Sequence, residues 1–179
     1  MNDDISRFQT MLRTSLQGDH SLTIRINDKE VHTLWCKLNN TKDIQLVAQI
    51  VKDLGGRLST ITAYQLKANL PSEDNEIAYH FDIHGATLTA TVKLIGDNKT
   101  ISSLTPIFRN ADWNEREFME LYDIEVEGHP DPRRLFIDES IDPAVLQRFI
   151  PYSAMVNAAS TKTLWENIMD KKGQPNDKL

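Results

Sequence analysis

The stretch Trp113–Ile137, WNEREFMELYDIEVEGHPDPRRLFI, is the part of the sequence densest in charges, turn residues and aromatics, and the fold prediction starts from it. Its first half predicts a charged helix with an apolar face at helical spacing, formed by Phe118, Leu121 and Tyr122. Asp112 is placed to cap this helix, with Glu115 three residues on in the capping-box position. For Glu115, Glu117 and Glu120 a charged, solvated helix start is favoured over a general acid–base set, since no nucleophile motif accompanies them. Glu117 shares a face with Trp113 and Leu121, so we expect it to be half-buried and to need a partner such as Arg116.

The second half of the stretch predicts a short strand and then a fixed bend. Gly128 to Pro132 cannot continue a helix or a central strand, because its two prolines lack amide donors and restrict the residues before them. Arg133 and Arg134 follow at once, and a second apolar strand is predicted from Leu135. The bend should thus present the two arginines at a defined point.

Composition excludes several classes of protein. The chain has 179 residues, 40% of them hydrophobic, which fits one domain with a tail. Its formal net charge of −6 argues against a nucleic-acid-binding protein, which would carry a basic face. A single cysteine, Cys36, excludes an intramolecular disulfide and a metal site built from several cysteines of this chain.

The sequence also indicates a location. No apolar run is long enough to cross a bilayer. The first residues, Met-Asn-Asp-Asp, lack the basic start and apolar run of a signal peptide. We expect a cytoplasmic protein, or one held at the cytosolic face of a membrane by other proteins.

Periodicity along the chain predicts the remaining elements. The order is helix, strands, helix, three strands, helix, and the expected bounds are 3–16 (helix), 22–26 and 31–38 (strands), 43–54 (helix), 57–67 (strand) and 76–95 (hairpin). This order predicts an α+β fold: a two-layer domain with a mixed β-sheet and helices packed on one face. Residues after Ile137 have no place in those layers and are interpreted as a C-terminal arm that lies on another subunit.

The hairpin between Glu76 and Ile95 has a predicted register. Placing Ile83 opposite Leu88 and Phe81 opposite Ala90 puts all alternating apolar residues on one side. It leaves Gly85-Ala86 as the loop, with glycine in the first position as a type II′ turn requires. The other side of the hairpin would meet solvent or a partner protein.

Three blocks of the sequence carry a resemblance to a known family. They are Glu-Arg-Glu at 115–117, Tyr-Asp-Ile at 122–124 and Glu-Gly-His-Pro-Asp-Pro-Arg-Arg-Leu at 127–135. Together they resemble the signature of the 30 kDa subunit of respiratory complex I (NADH dehydrogenase), and of the related subunit of membrane-bound energy-converting [NiFe] hydrogenases. The chain departs from the family at Asp123, where glycine is common. It also departs at Pro132, where many complex I members have an aliphatic residue and which is closer to the hydrogenase branch.

The resemblance implies a division of the chain and a role. Residues 1–140 would form the family's α+β domain, and residues 141–179 a helical arm with a disordered tail. The protein would be a non-catalytic structural subunit, without cofactor or metal of its own, that docks on the large subunit, 49 kDa-like or [NiFe]-hydrogenase-like. An iron–sulfur small subunit would be a further partner, and the membrane would be contacted only through the complex.

Two other functions remain open at this point. Of the two branches, Pro132 and the compact chain favour an energy-converting [NiFe] hydrogenase, and the alternative is the 30 kDa subunit of an NADH–quinone oxidoreductase. The chain could also belong to another class, a soluble adaptor or a small enzyme unrelated to redox chemistry. The signature residues are the candidate partner-docking site in the first two cases: Glu115, Arg116, Glu117, Gly128, His129, Pro130, Arg133 and Arg134.

Each candidate has a second interpretation. The paired arginines suit bidentate docking to carboxylates of a partner, or they could pair with helix glutamates inside the chain. His129 could carry a proton, since imidazole titrates near neutral pH, or its ring could hold the bend by hydrogen bonding. His80 and His84 could share a strand face as metal ligands, although a solvated hairpin face is favoured.

Overall fold

The computed structural model of the protein describes residues 2–16, 18–66, 74–96, 99–138 and 140. Within these ranges the fold consists of three helices, a five-stranded sheet and a two-stranded sheet. The helices are α1 (Asn2–Ser15), α2 (Asp43–Asp53) and α3 (Asp112–Tyr122), with a 3-10 turn (Arg109–Ala111) before α3. The strands are β1 (His20–Ile26), β2 (His32–Leu38), β3 (Arg57–Gln65), β4 (Asn75–Ile83), β5 (Ala86–Leu94), β6 (Thr100–Ser102) and β7 (Glu125–Glu127).

The large sheet is mixed, as predicted. Its strand order is β1-β2-β5-β4-β3, and β2 pairs in parallel with β5 whereas the other neighbours are antiparallel. Apolar side chains from one face of this sheet and from the helices form one buried cluster. The predicted two-layer α+β architecture is therefore confirmed. The predicted C-terminal arm, residues 141–179, lies outside the described residues.

Strand β2 illustrates how the alternating pattern positions the core. Leu34, Cys36 and Leu38 are buried, and the residues between them are exposed. This is the alternation expected of a strand with one face on the core.

Burial raises the pKa of the Cys36 thiol to about 11, with the carboxylate of Asp43 adding to the shift. The lone cysteine is thus a protonated core residue at neutral pH.

The predicted hairpin register is wrong by two residues. Phe81 lies opposite Leu88, not Ala90, and Ile83 lies opposite Ala86. The two-residue loop is His84-Gly85, and both residues have positive φ, 50° and 90°, as a type I′ turn requires. The Asp82 side chain accepts the Gly85 amide at 2.7 Å and closes the turn.

The signature stretch packs on the same core through Phe118 of α3 and through Ile124 and Val126 after it. Strands β6 and β7 pair in parallel, with Ile101 beside Val126, so the chain segments before and after α3 lie side by side. The predicted cap is wrong: Asp112 is already the first helical residue, and no side chain caps the helix. At the other end Asp123 adopts the left-handed conformation, φ 53° and ψ 43°. The strand predicted from Leu135 is not formed, and residues 135–137 are a series of bends.

Candidate partner-docking site

Glu115 anchors the segment that precedes α3. Its side chain is 1% exposed, and its carboxylate accepts the hydroxyls of Ser103 at 2.6 Å and Thr105 at 2.8 Å. The same carboxylate accepts the backbone amide of Leu104. A buried carboxylate needs this degree of hydrogen bonding to offset its lost hydration. The sequence-based prediction of a solvated first turn is therefore wrong for Glu115, whose buried carboxylate holds residues 103–105 against the helix through hydrogen bonds.

His129 connects the bend to the same network. Its side chain is 1% exposed, and its Nδ1 accepts the backbone amide of Asp131 at 3.1 Å. A ring nitrogen that accepts an amide carries no proton, which places the proton of a neutral ring on Nε2. That Nε2 lies 3.3 Å from Asp112 Oδ1 and 3.6 Å from Glu115 Oε2, without the alignment of a hydrogen bond. The contact with the Asp131 amide is the one expected of a ring that holds the bend, and the docking role of His129 stays a prediction.

Two further side chains of α3 fix the backbone of the bend, which we define as residues 128–137. Arg116 donates to the carbonyl oxygens of Arg133 and Arg134, both at 2.8 Å. One turn later, Glu120 accepts the backbone amides of residues 135, 136 and 137 at 2.8–2.9 Å. Arg116 and Glu120 thus make five hydrogen bonds to the backbone of a segment that has no regular secondary structure. Glu120 was not among the predicted site residues, although its one-turn spacing from Arg116 was visible in the sequence.

The two arginines of the bend contact acidic groups of the chain itself. Arg133 binds both oxygens of Asp131 at 2.6 and 2.7 Å, yet its side chain is 72% exposed. This guanidinium holds the pKa of Asp131 well below its usual range. Arg134 lies near Glu120 and donates to the carbonyl of Asp138 at 3.3 Å. Neither arginine pairs with Glu115 or Glu117 within the described part of the chain. Of the helix glutamates that the arginines could pair with, only Glu120 lies near one of them, Arg134.

Glu120 has a perturbed pKa of its own. Partial burial acts to raise the pKa, but the amides of Phe136, Ile137 and Leu135, together with Arg134, hold it below the usual value of 4.5. The carboxylate is therefore ionised at neutral pH and keeps its three hydrogen bonds from backbone amides.

Two large aromatic side chains of the signature stretch are exposed. Trp113 at the start of α3 is 69% exposed, and Phe136 in the bend is 59% exposed. Glu117 is half-buried and makes no hydrogen bond or ion pair to any residue that the structure describes. Gly128 and Pro130 are exposed, and Gly128 has a φ of 75°, which favours glycine. The exposure of Trp113 and Phe136 was not predictable from the sequence, because their spacing is compatible with a buried face.

The predicted alternative site on the hairpin is not assembled as a shared face. His80 contacts the hydroxyl of Thr89 at 3.1 Å, whereas His84 sits in the turn and reaches Asp4 of α1 at 3.2 Å. Within the described residues, no group of three or more His, Cys, Asp and Glu side chains is placed to hold a metal ion. No described helix is long and apolar enough to span a membrane.

Fold and site together define a class: a small α+β domain in which one helix carries a buried polar network and locks a surface bend in place. Comparison with known proteins gives the family. Residues 38–154 match the profile of the family described as "Respiratory-chain NADH dehydrogenase, 30 Kd subunit", and the chain belongs to that family. The predicted resemblance is thereby confirmed.

One curated relative is the C subunit of NADH-quinone oxidoreductase from Rhodopseudomonas palustris (strain TIE-1). It is 36% identical over 86 residues, which are 48% of this chain and 42% of the relative. The chain therefore spans less than half the length of this relative.

Two solved structures share the fold. A trypsin-resistant fragment of Nqo5 is 20% identical with a TM-score of 0.53, over 72% of this chain and 98% of that fragment. A chain of the archaeal membrane-bound sulfane sulfur reductase, a respiratory membrane complex, is 15% identical with a TM-score of 0.59. The second match covers 99% of this chain and 98% of the other.

Proposed function

We propose that this protein is a non-catalytic subunit of a complex I-like, membrane-associated oxidoreductase and that it docks on the large subunit through the bend. The observation that carries the proposal is the set of five hydrogen bonds from Arg116 and Glu120 to the bend's backbone. A segment held in this way reaches a partner already ordered, which lowers the entropy cost of docking. The bend also lies inside the segment matched by the family profile.

The exposed groups of the bend suit a protein surface. Arg133 presents a guanidinium that is 72% exposed, and Phe136 presents an aromatic ring that is 59% exposed. Arginine and aromatic residues, phenylalanine among them, are enriched at protein interfaces relative to the rest of the surface. The partner surface would therefore combine carboxylates with an apolar pocket.

Within this class, we favour an energy-converting [NiFe] hydrogenase over an NADH–quinone oxidoreductase. Pro132 is closer to the hydrogenase branch of the resemblance. The NADH–quinone assignment is the second candidate, supported by the Rhodopseudomonas palustris relative, whose name places it in that enzyme. In either complex the subunit would lie on the cytosolic side of the membrane, near an iron–sulfur small subunit, without a cofactor of its own. A soluble adaptor or small enzyme outside redox chemistry is the remaining alternative.

The test replaces Arg133 and Arg134 together by alanine. Docking predicts that the melting temperature of the isolated chain changes little, because the ion pair of Arg133 with Asp131 lies at the surface, where such pairs contribute little. Recovery of the large subunit with the tagged chain should fall at least about tenfold, since unpairing a desolvated charge at an interface costs about 2–5 kcal/mol. Arg109→Ala is the matched control, because Arg109 is also exposed and close to α3.

Two other outcomes are informative. If the isolated double variant has a much lower melting temperature yet still assembles at low temperature, the two arginines stabilise the chain itself and the docking role is refuted. The redox activity that is recovered with the wild-type chain, hydrogen evolution or NADH oxidation with quinone, decides between the two branches.

A further inference from the structure

The face of the large sheet opposite the helices carries an exposed tryptophan at its β1–β2 end. Leu34 and Cys36 point into the core, so Trp35 between them points to the other face, where it is 44% exposed. In the register of β1 and β2, Thr23 lies beside Trp35 and Arg25 beside Thr33. We call the exposed residues of this region the Trp35 patch: Thr23, Arg25, Thr33, Trp35 and Lys37.

Strand β5, the neighbour of β2 in the sheet, continues this face with threonines instead of charged residues. Thr87, Thr89 and Thr91 of β5 lie beside the three β2 residues of the patch. Thr89 and Thr91 are themselves buried, so they form an uncharged floor beside the indole. A large aromatic side chain standing beside such a floor is the type of residue that anchors protein interfaces.

Some basic side chains on this sheet face lie beside an acidic side chain and others do not. Arg57 at the far edge pairs with Asp82 at 2.8 Å, and Lys93 stands beside Glu76 in the register of β4 and β5. Arg25 and Lys37 lie on either side of Trp35 and have no ion pair with any residue that the structure describes. The patch is therefore locally positive in a chain whose formal net charge is −6.

We propose that the Trp35 patch is a second docking surface, which binds an acidic segment of a partner protein. An apolar side chain of the partner would cover the indole of Trp35, and its carboxylates would meet Arg25 and Lys37. A lipid surface is disfavoured, because anionic membranes are recognised by clusters of about 4–8 basic residues rather than two. The proposal rests on the complex proposed above, but not on the role of the bend.

The first experiment uses the complex isolated with the tagged chain, treated with a carbodiimide. This reagent joins a lysine amine to a carboxylate only where the two are in contact. We expect an amide bond from Lys37 Nζ to an aspartate or glutamate of another protein of the complex, identified by mass spectrometry. Lys37→Arg keeps the charge but removes the amine, so it should abolish this link. Lys93, on the same face beside Glu76, is the matched control and should give no link to another protein.

The second experiment measures dissociation of the crosslinked partner from variants of the chain. Trp35→Ala, or Lys37→Glu together with Arg25→Glu, should raise the dissociation constant at least about tenfold. Tyr64→Ala should leave it unchanged, because Tyr64 is an exposed aromatic at the β3 edge of the sheet. Melting of each variant alone checks that the fold is retained.

Several results would overturn the proposal. They are a Lys37 that stays uncoupled in an intact complex, a link to a second copy of this chain, or binding of the patch to vesicles of anionic lipid instead. If the wild-type chain is recovered in no complex at all, the function proposed above fails together with this inference. If the complex forms and only Lys37 stays uncoupled, this inference alone fails.

Discussion

Replacing Glu115 by glutamine should destabilise the protein more than any other single-charge change on α3. The carboxylate is buried and accepts three hydrogen bonds, from Ser103, Leu104 and Thr105. Hydrogen bonds to a charged group contribute about 1.5–3 kcal/mol each against about 1 kcal/mol for neutral ones. Glutamine keeps the shape but turns one oxygen into an amide donor that faces the two hydroxyls. Weakening three bonds by about 0.5–1.5 kcal/mol each lowers the free energy of unfolding by about 1.5–4.5 kcal/mol.

Urea denaturation of the isolated chain, followed by circular dichroism, measures this loss. The matched control is Glu117→Gln on the same helix, since Glu117 is half-buried and makes no hydrogen bond within the described residues. The control should stay within about 0.5 kcal/mol of wild type, as surface substitutions usually do. A Glu115→Gln variant as stable as the control would refute the reasoning, because the network would then not depend on a charged acceptor.

Two further predictions concern the ends of the signature stretch. Asp123→Gly should stabilise the chain by about 0.5–1 kcal/mol, because the left-handed conformation costs a side-chain-bearing residue roughly 1–2 kcal/mol and the entropy of glycine offsets part of the gain. Thermal melts check this, and Asp123→Ala, which keeps the strain, should not stabilise. The hydrogen bonds from the backbone amides of residues 135–137 to the Glu120 carboxylate should be fully formed above pH 4.5. They should be lost as the pH falls through the lowered pKa of that carboxyl. NMR titration of these amides should give a common midpoint below 4.5, and a midpoint at or above it would contradict the assigned bonds.

The sequence was sufficient to predict the layers of the fold, because burial imposes the period of each element. The alternation of Leu34, Trp35 and Cys36 identifies a strand with one buried face, and the structure has that face on the core. The hairpin register was not accessible in this way. Moving one strand by two residues keeps every side chain on its own face, so the apolar pattern fits Phe81 opposite Leu88 or Ala90 equally. The turn geometry of His84-Gly85 decided between them.

The candidate site was predictable in its location but not in its contacts. The prolines around Asp131 indicate a bend from local backbone chemistry alone. Glutamates at the start of a helix suggest solvated charges, and the opposite environment of Glu115 depends on Ser103 and Thr105, which approach it only through tertiary structure. The role of Glu120 has the same origin. Its partners are backbone amides, which every residue except proline carries, so no side-chain motif records the contact.

The parallel pairing of β2 with β5 has a consequence for the order in which the chain can fold. Strand β5 lies in the middle of the sheet and is the last of its five strands to leave the ribosome. Until it arrives, β1–β2 and β3–β4 are two separate hairpins, and isolated hairpins are marginal in water. The helix α2, already synthesised, has only part of its final surface to cover. Formation of the sheet therefore waits for residues 86–94, and the long separation between paired strands predicts folding slower than that of a helical protein of this length.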